Sequence, residues 1–206
     1  ECPFPGAIDD AKGTIDWVLA HAQELRIDPN RLMVAGDGAG ASLTNACLLL
    51  DEAKAVKKAV ELYPAADMED FRTQTRYTWS YDAYEIIEEQ KAYAYSRIDR
   101  IKNSVGGSEE DNLYLQGKTT FRDPLVSIIH ATEEQLCQFP PMVIIASEYD
   151  YLRVGSDYFV KLLQKVGVDV RSIRYCGCDH GILDMLGTVV QAEELCHVLA
   201  EELQSV

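Results

Sequence analysis

The sequence predicts an α/β fold, a mostly parallel sheet with helices on both faces. Three observations point there. Short apolar runs alternate with amphipathic stretches along most of the chain, the rhythm of strand–helix–strand units. The decapeptide VAGDGAGASL, residues 34–43, sets Gly36, Gly38 and Gly40 between one such run and the helix-like stretch after it, where a backbone has to turn sharply. The 206 residues, 47% of them apolar, suffice for one sizeable core, so residues 1–206 read as a single domain.

The elements follow in order. Over residues 7–25, Ile8, Ala11, Ile15, Val18, Ala22 and Leu25 recur at intervals of three or four, one face of an amphipathic helix. Pro29 and Asn30 in RIDPNR turn the chain. RLMVAG, residues 31–36, is an apolar run closing on glycine and reads as a buried strand. Residues 39–51 carry Leu43, Ala46, Cys47 and Leu50 at helical spacing. KAVELYP (58–64), PMVIIASEYD (141–150) and VDVRSIRYCG (168–177) supply three more strands, with helices over 154–166 and 187–203.

Residues 67–140 break this rhythm. They hold Trp79 and six of the eleven tyrosines (Tyr77, Tyr81, Tyr84, Tyr93, Tyr95, Tyr114), together with the polar stretch NSVGGSEEDN. The segment is expected to be a partly helical, cap-like excursion over the sheet. Its aromatics are read mainly as packing against the body and secondarily as pocket lining.

Composition excludes some roles. With 34 acidic against 19 basic residues and a net charge of -15, the surface repels phosphate backbones, so no nucleic-acid partner is expected. No apolar stretch is long enough to cross a bilayer and no basic start leads into an apolar segment, so no membrane partner is expected either. The six cysteines (Cys2, Cys47, Cys137, Cys176, Cys178, Cys196) are read as free, mostly buried thiols of a cytoplasmic protein.

The glycine turn is where the chemistry concentrates. A strand, a sharp turn and a helix are the setting of the G-x-S-x-G nucleophile elbow, in which a serine stands exposed above the sheet. In GDGAG the flanking glycines are Gly36 and Gly40, expected to make room for the turn, while Gly38 stands in the serine's place. Glycine has no hydroxyl to attack a carbonyl. Two later residues fit the same constellation. Asp150 follows the third strand and His180 the fourth, in the chain order nucleophile, acid, histidine that α/β-hydrolases use. There histidine takes the serine's proton, and a buried carboxylate orients the ring.

These residues carry a resemblance. The opening ECPFPGAIDDAKGTIDWVLAHAQELRIDPNRLMVAGDGAGASL is similar to the approach to the G-D-S-A-G elbow in the hormone-sensitive-lipase-like group of α/β-hydrolases. EYDYLRVGSDYFVKLLQKVGVDVRSIRYCGCDHGILD resembles that group's acid-to-histidine segment, and RDPLVSII is a looser match. The resemblance implies an α/β-hydrolase-like fold and carboxylic-ester hydrolysis of small acyl esters through a serine acyl-enzyme, with no metal or organic cofactor. It makes Asp150 the triad acid, His180 the base, and the Ala39 N–H an oxyanion-hole donor. Two departures accompany it: Gly38 replaces the serine, and the family's upstream H-G-G-G segment and first strands are absent. Impaired hydrolysis of a bound small ester-like or apolar ligand is therefore expected. So is an exposed sheet edge that a second copy or an N-terminal portion would cover.

Rival readings use the same residues. Gly36, Gly38 and Ala41 satisfy G-x-G-x-x-A, the fingerprint of a dinucleotide-binding domain, and Glu61 falls near the position of its ribose-binding acid. Asp37 would then face a pyrophosphate, however, and Asp150 and His180 go unexplained. A non-catalytic ligand-binding homologue is the other alternative. Cys176, Cys178 and His180 form C-x-C-x-H without a second half, so no metal is assigned. Ser42 lies a turn into the helix and Cys47 deeper, so neither replaces the nucleophile. His21, His130 and His197 are assigned no role.

Overall fold

A computed structural model describes residues 2–105 and 107–206; Glu1, which opens the family-like stretch, and Gly106, in the polar stretch of the excursion, lie outside the described residues. Four strands, β1 (Leu32–Asp37), β2 (Val56–Leu62), β3 (Met142–Ser147) and β4 (Val170–Tyr175), form one parallel sheet in the order β1-β2-β3-β4. Each crossover moves one strand along, so all four carboxyl ends meet at one edge.

Alternation along the central strands divides the core. Ala59 and Ile144 face the side covered by α3 (Ala39–Leu49) and α6 (Arg153–Lys165), where Leu48, Phe159 and Leu163 pack. Val60, Leu62, Val143 and Ile145 face the other side, covered by α7 (Val190–Gln204) through Ala192, Leu195 and Val198. Both faces of the sheet are covered, as predicted. β3 is buried at every position, which is why its sequence is a continuous apolar run rather than an alternating one.

The N-terminal helix is divided where the sequence predicts one. α1 spans Gly6–Ala20 and α2 spans Ala22–Leu25. His21, at φ -106°, ψ 15°, interrupts them: its backbone N–H still donates to the Trp17 carbonyl (3.0 Å), its Nδ1 lies 2.8 Å from the same oxygen, and its ring stacks on Trp17 at 4.3 Å. Its predicted apolar face buries Ile8 and Ala22, while Leu25 is exposed.

Between β2 and β3 the excursion contributes α4 (Lys91–Lys102), α5 (Glu133–Leu136) and three short 3-10 turns. Trp79, Tyr84, Ile98, Tyr151 and Leu152 form a separate cluster that joins it to the loop after β3. No helix of the described residues is long and apolar enough to cross a membrane. Among the described residues β1 and β4 are the sheet's edges. β4 carries Arg171 and Arg174, whereas β1 is apolar up to Asp37.

Candidate active site

The site is built at the carboxyl ends of the strands, where parallel sheets of this kind bind ligands. After β1 the chain turns through Gly38 at φ 49°, ψ -110°, a conformation that residues bearing a side chain rarely adopt. The Gly38 N–H donates to the Leu62 carbonyl (3.0 Å), tying the turn to the end of β2. Gly36 approaches the start of α3 so closely that a Cβ there would stand 2.2 Å from the Gly40 carbonyl oxygen. Gly36 is therefore demanded by space. Gly40 is not, because a Cβ on it would meet only Asp37 Oδ1 at 3.7 Å, an ordinary contact. This corrects the expectation that both flanking glycines make room: the close approach is onto the Gly40 backbone, so only the Gly36 side has to be bare.

Asp150 lies just beyond β3 and is 1% exposed. Its Oδ1 accepts the Leu152 N–H (2.9 Å), and its Oδ2 lies 2.8 Å from His180 Nδ1. A carboxylate at Nδ1 selects the tautomer with its proton there, leaving the lone pair on Nε2. That nitrogen faces the turn, since a Cβ built on Gly38 would stand 3.4 Å from Nε2 and 3.6 Å from Cε1. Gly38, Asp150 and His180, far apart in sequence, converge. Ala39 opens α3, and among the described residues its N–H has no protein acceptor, as first-turn donors commonly do not.

A cavity of about 450 Å³ opens from Gly38, Ala39 and His180 toward the excursion. Leu43, Met68, Ile101, Val105, Leu125 and Val126 make its walls apolar. The two hydroxyls that reach it from serine are already spent: Ser42 donates to the Ala65 carbonyl (3.1 Å) and Ser104 to that of Ile101 (2.8 Å). Of the excursion's aromatics Tyr114 is in the lining; Trp79 and Tyr84 are buried as packing.

Sequence reasoning missed two supports of the dyad. Tyr63, directly after β2 and at φ 40°, packs edge-on against the His180 ring at 4.8 Å, its hydroxyl 3.4 Å from Asp37 Oδ2. Burial, then the Asp37 charge, pushes its phenol well above the usual range. The excursion also grips both functional loops. Arg97 and Arg100 of α4 reach Asp179 Oδ2 at 2.6 and 3.2 Å, and Arg100 donates to the His180 carbonyl (2.8 Å). Tyr84 donates to the Asp150 carbonyl (3.0 Å), and Arg153, beside the acid, donates to the Ala83 carbonyl. The only sequence signal was the aromatic density of the excursion; nothing pairs Arg97 or Arg100 with Asp179.

A family model described as alpha/beta hydrolase fold matches residues 1–184. The chain belongs to the alpha/beta hydrolase family. Within it, the chain is 27% identical over 213 residues to Lipase 2 of Moraxella sp. (strain TA144), covering 90% of this chain and 45% of that lipase. It is 26% identical to the ethyl acetate hydrolase of Pseudomonas putida, covering 98% and 58%. Among solved structures it is similar to EstE1, a carboxylesterase cloned from a metagenomic library (TM-score 0.72, 25% identity, 99% and 64% covered). It is also similar in fold to the esterase Est22 (TM-score 0.79, 23% identity, 100% and 57% covered). This alpha/beta hydrolase stands in the carboxylesterase and lipase lineage and spans about half the length of the curated relatives it matches.

Other sequence readings are corrected in this alpha/beta hydrolase. Glu61 does not reach a ribose: it is 0% exposed on the α3 side of β2, near Asn45, and both its oxygens and both Asn45 amide atoms lack hydrogen-bond partners. Burial pushes its carboxyl up to about 8, so it is neutral in the fold near pH 7. The thiols are free but not mostly buried. Cys47 and Cys178 are buried, Cys196 is half-buried, and Cys2, Cys137 and Cys176 are exposed, because apolar neighbours in sequence do not guarantee a core position. Cys178 sits in the α7-side core while Cys176 faces solvent, and His180 Nδ1 is engaged by Asp150, so the C-x-C-x-H residues do not converge.

Elsewhere Asp67, Glu69 and His130 bring potential ligand atoms within 4.8 Å of one another. Both carboxylates are already engaged. Glu69 pairs with Arg122 (2.8 Å), and Asp67 accepts from the Tyr77 hydroxyl (3.0 Å) and the Glu69 N–H (2.9 Å); His130 Nε2 lies 3.1 Å from Glu69 Oε2 without forming a hydrogen bond. The arrangement reads as a buried polar network anchoring the excursion.

Proposed function

We propose that this chain is a binding site for small carboxylic esters whose serine acyl-enzyme route is closed at Gly38. In this reading Gly38 occupies the nucleophile position, His180 is the general base, Asp150 its orienter, and the Ala39 N–H an oxyanion donor. The observation that carries it is the 3.4 Å between a Cβ built on Gly38 and His180 Nε2, the separation from which a serine hydroxyl would bond that nitrogen. The apolar walls of the cavity suit a short acyl chain, and the lineage of its relatives supports an ester over other ligands.

The test is hydrolysis of p-nitrophenyl acetate and butyrate by this chain and by Gly38→Ser, with a phosphonate as trap. Turnover and labelling gained with the serine support the reading; a serine variant that neither reacts nor is labelled overturns it. A non-catalytic ligand-binding role then becomes the better account, and equilibrium binding of butyrate esters measures it.

Two further parts of the reading concern its setting. Three exposed free thiols suit a reducing, cytoplasmic environment. The apolar edge of β1, unlike the arginine-bearing edge of β4, suits strand pairing with a second copy or with further strands of the same fold. Sedimentation across a concentration series tests the self-association.

A further inference from the structure

We propose that the Asp150–His180 pair activates water directly, so that the glycine chain hydrolyses activated small esters in a single displacement without an acyl-enzyme. The proposal rests on the ester-site reading above and adds an activity to it. Three features support it. His180 presents Nε2 as a base, because Asp150 holds its Nδ1 at 2.8 Å. The residue opposite that nitrogen is glycine, and even a methyl there would come to 3.4 Å from Nε2. A water next to the base therefore fits with glycine and competes with the side chain of anything larger. Finally, Gly38, Ala39 and His180 line one apolar cavity, so an ester whose acyl group entered it would bring its carbonyl to the base and the oxyanion donor together.

In the step, a water O–H gives its proton to His180 Nε2 while the oxygen bonds to the acyl carbon. The carbonyl electron pair moves onto its oxygen, toward the Ala39 N–H. Collapse breaks the carbon–alkoxide bond, and the proton on Nε2 passes to the departing alkoxide. Acid and alcohol leave, and no bond to the protein forms. The substrate class is an ester of a short apolar acid with a good leaving group, since the leaving group receives help from one proton only.

The experiment compares residue 38 as Gly, Ala and Ser, with His180→Ala in the glycine chain, on p-nitrophenyl butyrate. Glycine is expected to turn over slowly, about 10³-fold above the uncatalysed reaction, without a burst and without inhibition by the phosphonate. His180→Ala lowers that rate by about 10²-fold. Gly38→Ala lowers it about tenfold or more by taking the water's place, and Gly38→Ser, which imposes the same Cβ on the turn and so controls for its tolerance, reacts with a burst and is labelled. Equal rates for Gly and Ala, or a glycine rate that survives His180→Ala, overturn the water route while leaving the ester site standing. A serine variant that is neither active nor labelled overturns the nucleophile–base assignment and the water route together, leaving only ligand binding to be measured.

Discussion

The two sides of the candidate site are held by different means. The turn after β1 is held by backbone: the Gly38 N–H on the Leu62 carbonyl, and the bare Gly36 against the backbone of Gly40. The Asp150–His180 side is held mainly by side chains: beside the Leu152 N–H on Asp150, the side chains of Tyr63, Tyr84, Arg97 and Arg100 fix Asp150, His180 and their loops. On the proposed reading, the contrast accounts for a turn that carries glycine while Asp150 and His180 stay assembled beside it. A backbone-held turn does not need the side chain it displays, and glycine adopts φ 49° at less cost than serine does. A side-chain-held dyad, by contrast, can be dismantled one group at a time.

The largest effect that would break this comparison lies on the dyad side. In a Gly38→Ser background, Asp150→Asn should cost roughly 10⁴-fold in kcat/KM with p-nitrophenyl butyrate, because the imidazole tautomer is no longer set. A loss under tenfold would show that Asp150 is not the orienter.

On the turn side, Glu61 lies near Asn45 of the elbow helix. Its folded-state value of about 8, against an ordinary 4.5, means that the fold retains a proton which the unfolded chain releases. Stability should therefore fall as pH rises from about 4.5 to about 8, by up to about 1.4 kcal/mol per pH unit from this one group. Asp67, raised to about 6 by burial, acts in the same direction over the lower part of that range. The difference between this chain and Glu61→Gln in urea melts at pH 6 and pH 8 isolates Glu61. Identical pH slopes for the two would contradict its buried, neutral state.

Next come the two glycines that flank the turn. Gly36→Ala should destabilise by about 3 kcal/mol or more, because a Cβ 2.2 Å from a backbone oxygen cannot be relieved by a side-chain movement. Gly40→Ala, inside α3, should be neutral or stabilise by up to about 1 kcal/mol. Thermal or urea denaturation checks both; similar costs for the pair would return Gly40 to the role expected from sequence.

The smallest effect sharpens the picture of the clamp. Arg100→Ala removes a half-exposed ion pair and the donor to the His180 carbonyl. Global stability should change by less than about 1 kcal/mol. Amide exchange over residues 179–181 should nevertheless quicken, and more so in low salt, where screening does not already weaken the pair.

Much of the fold was legible because its signals are local. The four strands appear as apolar runs, α3, α6 and α7 as helical spacings, and the turn as a cluster of glycines. The candidate site was legible through chain order, with Gly38, Asp150 and His180 each just beyond a strand. The break at His21 was not, since the apolar period continues through it and the departure is a backbone one, at φ -106°, ψ 15°. Gly40 and the exposed cysteines were misread for a related reason: a residue's type does not say how close its neighbours come.

The sequence alone thus determined the kinds of element, their order and the positions of turn, acid and histidine, since side-chain periodicity and glycine or proline punctuation act over a few residues. Tertiary structure alone decided that Gly36 must be bare, that Glu61 is sealed beside Asn45, and that Arg97 and Arg100 reach Asp179 from the excursion. Those are distances between residues remote in the chain, and they exist only once the sheet has brought its carboxyl ends together.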